Sequence, residues 1–473
     1  MRNCNDGFRA FRAYGASALI LGFALAGCAI NRPVDRLTDK CNLDVGDVIV
    51  ELPNGGGEIA LADAANPPPT KDGAFAAALR ATVQKNAVLE IDTFPRINNL
   101  VLSGGGQYGS FGSGFLKGMQ ESGALPSYTT VTGVSTGALQ ATFALLGRSK
   151  APNDRVLDPK DDFPANANRR PRTNIDDLVS GYTITREDTL YKDKGTSGII
   201  RGAAKGSLAP LAKRLEFLIT ADTLLAVKEA NVGGRKLFVA LLNYESGNVE
   251  SIDMTKLASR YNGVPKDESG SNFYEIQHCY NQVLIAASSE PIGAKPVVID
   301  KKLYFDAGLR YGVFLQYYKK EANRVQNEEP ATKEKGFKAF RTDIIVNGDL
   351  LTGSAGNKFD NKFSALDIAL RGRKILVNQI YRFSVSEVLK TDPKNLKDAE
   401  DSKNPIDHVF NFAAIREREI RDIENRDAPT DQKGKKSKEM TFDPDFMKAL
   451  IALGKVRGKA LDWQTEPERM AIQ

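Results

Sequence analysis

Twice between Leu100 and Leu146 the chain passes from a strand through a glycine-framed turn into a helix, and this repeat constrains the fold more than any other stretch. The first unit is Leu100-Val101-Leu102, the turn Ser103-Gly104-Gly105-Gly106-Gln107-Tyr108-Gly109, and a helical segment ending near Gly123. The second is Thr129-Thr130-Val131-Thr132, the turn Gly133-Val134-Ser135-Thr136-Gly137, and a helix of small and apolar residues through Ala138, Leu139, Ala141, Phe143, Leu145 and Leu146. Such alternation predicts an α/β domain, a mainly parallel central sheet flanked by helices.

The second turn has the form G-x-S-x-G, in which a sharp strand-to-helix bend lifts a serine hydroxyl clear of the sheet. Gly133 and Gly137 lack side chains where strand and helix crowd together, which makes the bend sterically possible. The N–H of Thr136, at the positive end of the following helix, would face the oxygen of a carbonyl attacked by Ser135. The first turn also satisfies G-x-G-x-x-G through Gly104, Gly106 and Gly109, as in dinucleotide-binding folds. That reading needs an acidic residue at the end of the second strand to hold a ribose, but the strand ends in Gly133-Val134-Ser135. The better reading is a turn that presents backbone N–H groups to a substrate oxygen.

A third element follows far downstream in Tyr304-Phe305-Asp306-Ala307-Gly308-Leu309, after Ala286-Ala287-Ser288-Ser289-Glu290-Pro291 and Pro296-Val297-Val298-Ile299-Asp300. Three motifs in this order resemble the patatin-like phospholipases, from about Asn98 to Leu315 and more loosely through Asp343 to Val346 and the next helix. The resemblance implies a three-layer α/β sandwich with Ser135 as nucleophile and Asp306 as its base. It also implies an oxyanion hole from Gly104, Gly105, Gly106 and Thr136, phospholipid or lysophospholipid substrates, and no metal or organic cofactor. Two departures stand out. Tyr108 occupies a place where many relatives have Arg or Lys, so a positive charge beside the oxyanion turn is missing, and the third motif reads Asp306-Ala307-Gly308, its small residues in a different order.

The chain has two histidines, His278 and His408. A Ser-His-Asp triad in the usual order of this elbow needs its histidine after the acid. His278 precedes Asp306 on a helix, and His408 lies beyond the charged run Lys390 to Lys403, where core signal is weak. A Ser135–Asp306 dyad needs neither. A free aspartate titrates near about 3.9 and is a weak base at neutral pH, so partial burial and the Ser135 hydrogen bond must tune it.

Upstream, Arg2, Arg9 and Arg12 precede an apolar run from Tyr14 to Ala26 that ends in Leu25-Ala26-Gly27-Cys28. The run is short of the roughly 20 residues a spanning helix requires. It reads as a secretory signal, residues 1–27, with Cys28 as the lipidation site of a bacterial lipoprotein; an ordinary signal peptide is the alternative. Ala29 in place of an aspartate points to the outer membrane, facing the periplasm. Cleavage would lower the formal charge from +6 to about +4, too mild to argue for nucleic acid as a partner. Of four cysteines, Cys4 leaves with the signal and Cys28 takes lipid, leaving Cys41 and Cys279. Two buried or free thiols is the preferred reading, with pairing in an oxidising compartment the alternative.

Residues 28–95 form the lipidated N-terminus and linker, with Gly55-Gly56-Gly57 and Pro67-Pro68-Pro69 between Leu52 and Gly73. The catalytic domain is placed at 96–390. Within it Lys150 to Asn174 reads as a surface loop, Leu208 to Ala230 as helix broken at Thr220-Ala221-Asp222, Lys236 to Leu242 as strand with a hairpin tip at Glu245 to Asn248, Phe273 to Ser288 as helix, and Leu366 to Val388 as a long helix. Asp300 is taken as a solvated turn residue. Residues 391–473 are charged, with an exposed helix around Ile415 to Ile420, a basic patch at Gly434 to Lys438, a packed helix from Phe442 to Lys455, and a tail from Trp463. The activity expected is lipid acyl-ester hydrolysis. Acyl transfer through the same acyl-enzyme, and lipid binding without catalysis, are the competing readings.

Overall fold

The computed structural model describes residues 41–43, 45–49, 97–153, 155, 172–202, 204–313, 339–348, 350, 365–390, 407–426 and 442–464. The signal segment with Cys28, the glycine- and proline-rich part of the linker, most of the loop after Lys150 and the basic patch lie outside the described residues, whereas Val45–Ile49, placed in the linker by the sequence, is a strand of the main sheet because it pairs antiparallel with Val249–Asp253.

The strands are β1 (Val45–Ile49), β2 (Ile97–Leu102), β3 (Thr130–Gly133), β4 (Lys192–Asp193), β5 (Gly206–Ser207), β6 (Lys236–Asn243), β7 (Val249–Asp253), β8 (Val297–Ile299), β9 (Lys302–Asp306), β10 (Ala339–Val346) and β11 (Asp407–Ala414). Nine of them form one sheet in the order β1-β7-β6-β3-β2-β10-β11, with β9 on β6 and β8 on β9, while β4 and β5 pair separately. The run β6-β3-β2-β10-β11 is parallel throughout. The pairs made by β1, β7, β8 and β9 are antiparallel.

The helices are α1 (Gly109–Glu121), α2 (Thr136–Leu146), α3 (Asn174–Tyr182), α4 (Gly195–Gly202), α5 (Ala209–Leu218), α6 (Ala221–Val232), α7 (Met254–Ser259), α8 (Phe273–Ala287), α9 (Ala365–Lys390), α10 (Glu417–Arg426) and α11 (Pro444–Ala460). Side chains alternate across the strands. Leu100 and Leu102 of β2 join the core that also holds Phe111, Phe115, Leu145 and Leu284, whereas Val101 joins the core on the other face with Phe238, Ile344 and Tyr381. Both faces are therefore buried, as parallel strands require, and the architecture is the mixed, mostly parallel sandwich expected.

Local chemistry sets the helix starts. Thr220 caps α6 through Thr223 N–H, and Thr173 and Asp176 make a reciprocal capping box at α3. The sequence reading needs correction in several places. Asp407–Ala414, placed in a charged segment with little core signal, is β11, whose Phe412, Ala413 and Ala414 are buried; the charged residues around it hid a short apolar alternation. α10 is not simply exposed, since Ile420 and Ile423 face the core. Asp300 is no solvated spectator, because its carboxylate accepts the N–H groups of Asn42 and Leu43 at 2.9 and 2.7 Å. Trp463 is not tail, for it packs on Phe115 with ring centroids 4.8 Å apart. Cys41 and Cys279 are joined in a disulfide; spacing in sequence gave no sign of it because the two lie 238 residues apart.

α1 and α11 meet through glycine on both sides. A Cβ on Gly114 or Gly118 would stand 2.2 Å from the carbonyl oxygen of Ile451 or Lys455, and one on Gly454 or Gly458 would stand 2.1 or 2.0 Å from that of Phe111 or Phe115. Paired glycines four residues apart face each other, so the two backbones are in direct contact. This contact fixes α1, which grows out of the first glycine turn.

Candidate active site

Ser135 lies between β3 and α2 with φ +53° and ψ −124°, a backbone region that costs a non-glycine residue on the order of 1–3 kcal/mol and persists only where its surroundings impose it. Close packing imposes it here. A Cβ on Gly137 would be 2.4 Å from the carbonyl oxygen of Leu102, and one on Gly133 would be 2.6 Å from that of Gly137. Tyr182, at the end of α3, tightens the bend from outside, its hydroxyl donating to Thr136 O at 2.9 Å and lying 2.5 Å from Thr136 Oγ1.

The sheet register explains how Asp306 reaches this serine. β3 runs parallel to β6 and stops where Gly133 pairs with Val239. β9 arrives antiparallel along the same edge and ends where Asp306 pairs with Leu241. The two strands thus meet head to head on one side of β6, two residues apart along it, and deliver Ser135 and Asp306 to a common point. Asp306 is 5% exposed and Ser135 8%. The Ser135 hydroxyl stands near enough to the Asp306 carboxyl to oppose a rise in its pKa, and Asp306 Oδ1 accepts Gly308 N–H at 2.7 Å. Burial dominates nonetheless and pushes the carboxyl up to about 7; nearby Glu290 adds to the rise, while the Ser135 and Gly308 hydrogen bonds and Arg373 oppose it.

The first glycine turn faces the same point. Gly105 and Gly106 have φ of +146° and +56°, which glycine alone adopts readily, and both line the cavity over the dyad. The N–H groups of Gly105, Gly106 and Thr136 have no acceptor among the described residues. Gly104 must be corrected as a donor, since its N–H goes to Gly312 O at 3.3 Å; what it provides is room.

Asn347, just past β10, braces the turn from behind. Its side-chain amide donates to Ser103 O at 2.9 Å and Gln140 Oε1 at 3.0 Å, its backbone N–H donates to Ser103 Oγ at 2.8 Å, and Gln140 donates to Gly109 O at 2.6 Å. Asn347 and Gln140 are fully buried. Asn347→Ala is therefore expected to lower stability by about 2 kcal/mol through orphaned buried acceptors, read as a fall in the urea midpoint; an unchanged midpoint would mean the brace carries no load.

A cavity of about 460 Å³ opens over these groups. Its lining is largely apolar, with Leu139, Phe143, Leu178, Leu211, Leu215 and Met447. Its polar groups include Ser288, Asn378 and an Arg373–Glu290 ion pair. Tyr381 of α9 also lines it. Arg373, Glu290 and Tyr381 went unnoticed in the sequence because they flank rather than form the motifs. Tyr108 lies at the wall against Phe446. Neither histidine belongs to the site. His278 is half-buried on α8 and away from the cavity lining. His408 is the second residue of β11, in register with Phe340 and through it with Ile97, at the sheet end opposite to the glycine turns.

These features place the chain among α/β proteins with a serine elbow at the ends of parallel strands. Residues 100–317 match the family described as Patatin-like phospholipase, and the chain carries a domain of that family over those residues. The structure of VipD from Legionella pneumophila aligns at 13% identity over 76% of this chain and 67% of its own, with a TM-score of 0.25. A comparison with curated proteins returned no match.

Proposed function

We propose that this chain is a serine lipid acyl hydrolase working through Ser135 and Asp306. The observation that carries the reading is the meeting of β3 and β9 on one edge of β6, which brings a strained serine and a buried carboxylate together beneath a cavity with a largely apolar lining. In the first step Ser135 Oγ attacks the ester carbonyl carbon as Asp306 takes its proton. The N–H groups of Gly105, Gly106 and Thr136 hold the oxyanion. Collapse breaks the bond to the alkoxide, which leaves with the proton from Asp306. Water then attacks the acyl-enzyme, with Asp306 again the base, and the free fatty acid departs. The apolar lining suits the acyl chain and the Arg373–Glu290 pair the polar end of a phospholipid or lysophospholipid.

Further support for a lipid surface comes from α9, whose outer face carries Ile368, Ile375, Leu376 and Phe383, all exposed, an apolar stripe of the kind that lies in a membrane interface. The same reading has the chain exported and held to the bacterial envelope by lipid on Cys28, with the disulfide in keeping with an oxidising compartment. Palmitate labelling lost in Cys28→Ser would support the anchor; labelled protein confined to inner-membrane fractions would reject the outer-membrane assignment.

The deciding experiment is hydrolysis of a short-chain nitrophenyl ester and of mixed phospholipids by the parent and Ser135→Ala. The variant is expected to lose at least about 10³-fold in kcat with an unchanged circular dichroism spectrum. Activity retained by it, or lipid bound by the parent with no acyl-enzyme formed, would favour a lipid-binding role instead.

A further inference from the structure

Tyr381 is set into the site with unusual care. A Cβ on Gly104 would stand 1.8 Å from its hydroxyl oxygen, one on Gly308 3.0 Å from the same atom, one on Gly312 2.8 Å from Cγ, and one on Gly348 2.8 Å from Cδ1. Four glycines are cut back to hydrogen to admit one ring. Phenylalanine would fill that space equally well, so packing does not account for the hydroxyl. The residue is 5% exposed, yet its oxygen is not among the sealed, orphaned polar atoms and reaches solvent through the cavity. It has no hydrogen-bond partner among the described residues.

The position of this oxygen relative to the dyad is defined by two of the glycines. The missing Gly308 Cβ would be 3.0 Å from both Tyr381 Oη and Asp306 Oδ1, and the missing Gly104 Cβ would be 3.0 Å from Ser135 Cβ. The hydroxyl therefore faces Ser135 across Gly104 and Asp306 across Gly308. It is thus close to both members of the dyad, and a departing alkoxide that collects its proton from Asp306 comes within its reach. Burial, with Asp306 and Glu290 nearby, raises the phenol well above its ordinary range, so it stays a neutral donor at working pH.

We propose that Tyr381 is a further catalytic residue, its hydroxyl donating a hydrogen bond to the leaving oxygen of the ester as the carbon–oxygen bond breaks. Tyr381 keeps its proton throughout; the proton that the alkoxide gains is the one Asp306 took from Ser135. This role rests on the hydrolase reading above.

The test is Tyr381→Phe in the full chain, assayed on esters of one acyl chain whose leaving alcohols range from nitrophenol to glycerol. The substitution removes one atom bonded to nothing in the protein, and the urea midpoint is expected to hold. Turnover is expected to fall about ten- to a hundredfold on the glycerol ester and less than about twofold on the nitrophenyl ester, which departs without help. An equal loss on every ester, as a displaced wall would cause, or no loss on any, would overturn the proposal while leaving the hydrolase standing. A parent inactive on the whole series would sink both.

Discussion

Exchanging Asp306 for asparagine is expected to abolish ester hydrolysis and, at pH 8, to make the folded chain more stable than the parent by roughly 2–4 kcal/mol. The reason is the elevated carboxyl, held up to about 7 chiefly by burial, against about 3.9 in an unfolded chain. Folding favours the protonated acid. That contribution is fully present below about pH 4 and is lost as the pH rises through 7, above which the folded state holds a desolvated carboxylate. The amide does not titrate, so the advantage of the variant grows between pH 4 and 7 and then levels off. Urea midpoints at pH 4, 6 and 8 would trace it. The parent's kcat/KM is expected to rise over the same interval, because only the ionised carboxylate takes the serine proton. A stability difference that shrinks with pH, or parent activity that falls from pH 6 to 8, would contradict this account.

Gly454→Ala is expected to cost several kcal/mol, enough to threaten folding of the whole domain. In an exposed helix the same change gains about 1 kcal/mol. Here the added methyl would sit 2.1 Å from the carbonyl oxygen of Phe111, and backbone cannot swing aside as a side chain does, so α11 must lift away from α1. Gly372→Ala on α9 is the control, since its Cβ would meet nothing within 4 Å; that variant is expected to be neutral or slightly stabilised. Equal urea midpoints for the two would show that the helices separate without penalty. Because α1 begins where Gly106 and Tyr108 end their turn, any folded Gly454→Ala is also expected to lose activity.

Ser135 and Asp306 were legible in the sequence because the chemistry of a sharp turn demands glycine, and glycine is conspicuous. Their pairing as a dyad was expected from the resemblance alone, and the arrangement that brings them together was not legible, since it depends on β3 and β9 sharing an edge of β6, a pairing between strands far apart in sequence. The sheet was legible where an apolar run leads into a glycine turn, as Leu100-Val101-Leu102 of β2 does. It was lost at β11, where flanking charge outweighed a short alternation. The disulfide escaped for a similar reason, for nothing local marks a cysteine whose partner lies 238 residues on. Tyr381 was invisible as a site residue because its evidence is four glycines from four places, each ordinary on its own.

The Cys41–Cys279 bond has one more consequence, for what the domain presents to its neighbours. β1 begins four residues beyond Cys41 and covers the free side of β7 through antiparallel pairing. An uncovered strand edge is a template on which other chains add, and native sheets guard against it. The covalent link to α8 holds the covering strand close even when its hydrogen bonds open, so re-pairing is intramolecular and fast. With the link reduced, each opening of β1 leaves β7 available to a second molecule. The disulfide in this sense keeps β7 covered and leaves the short β1 as the outermost strand on that side among the described residues, and its reduction is expected to be felt first as aggregation at high protein concentration rather than as lost catalysis.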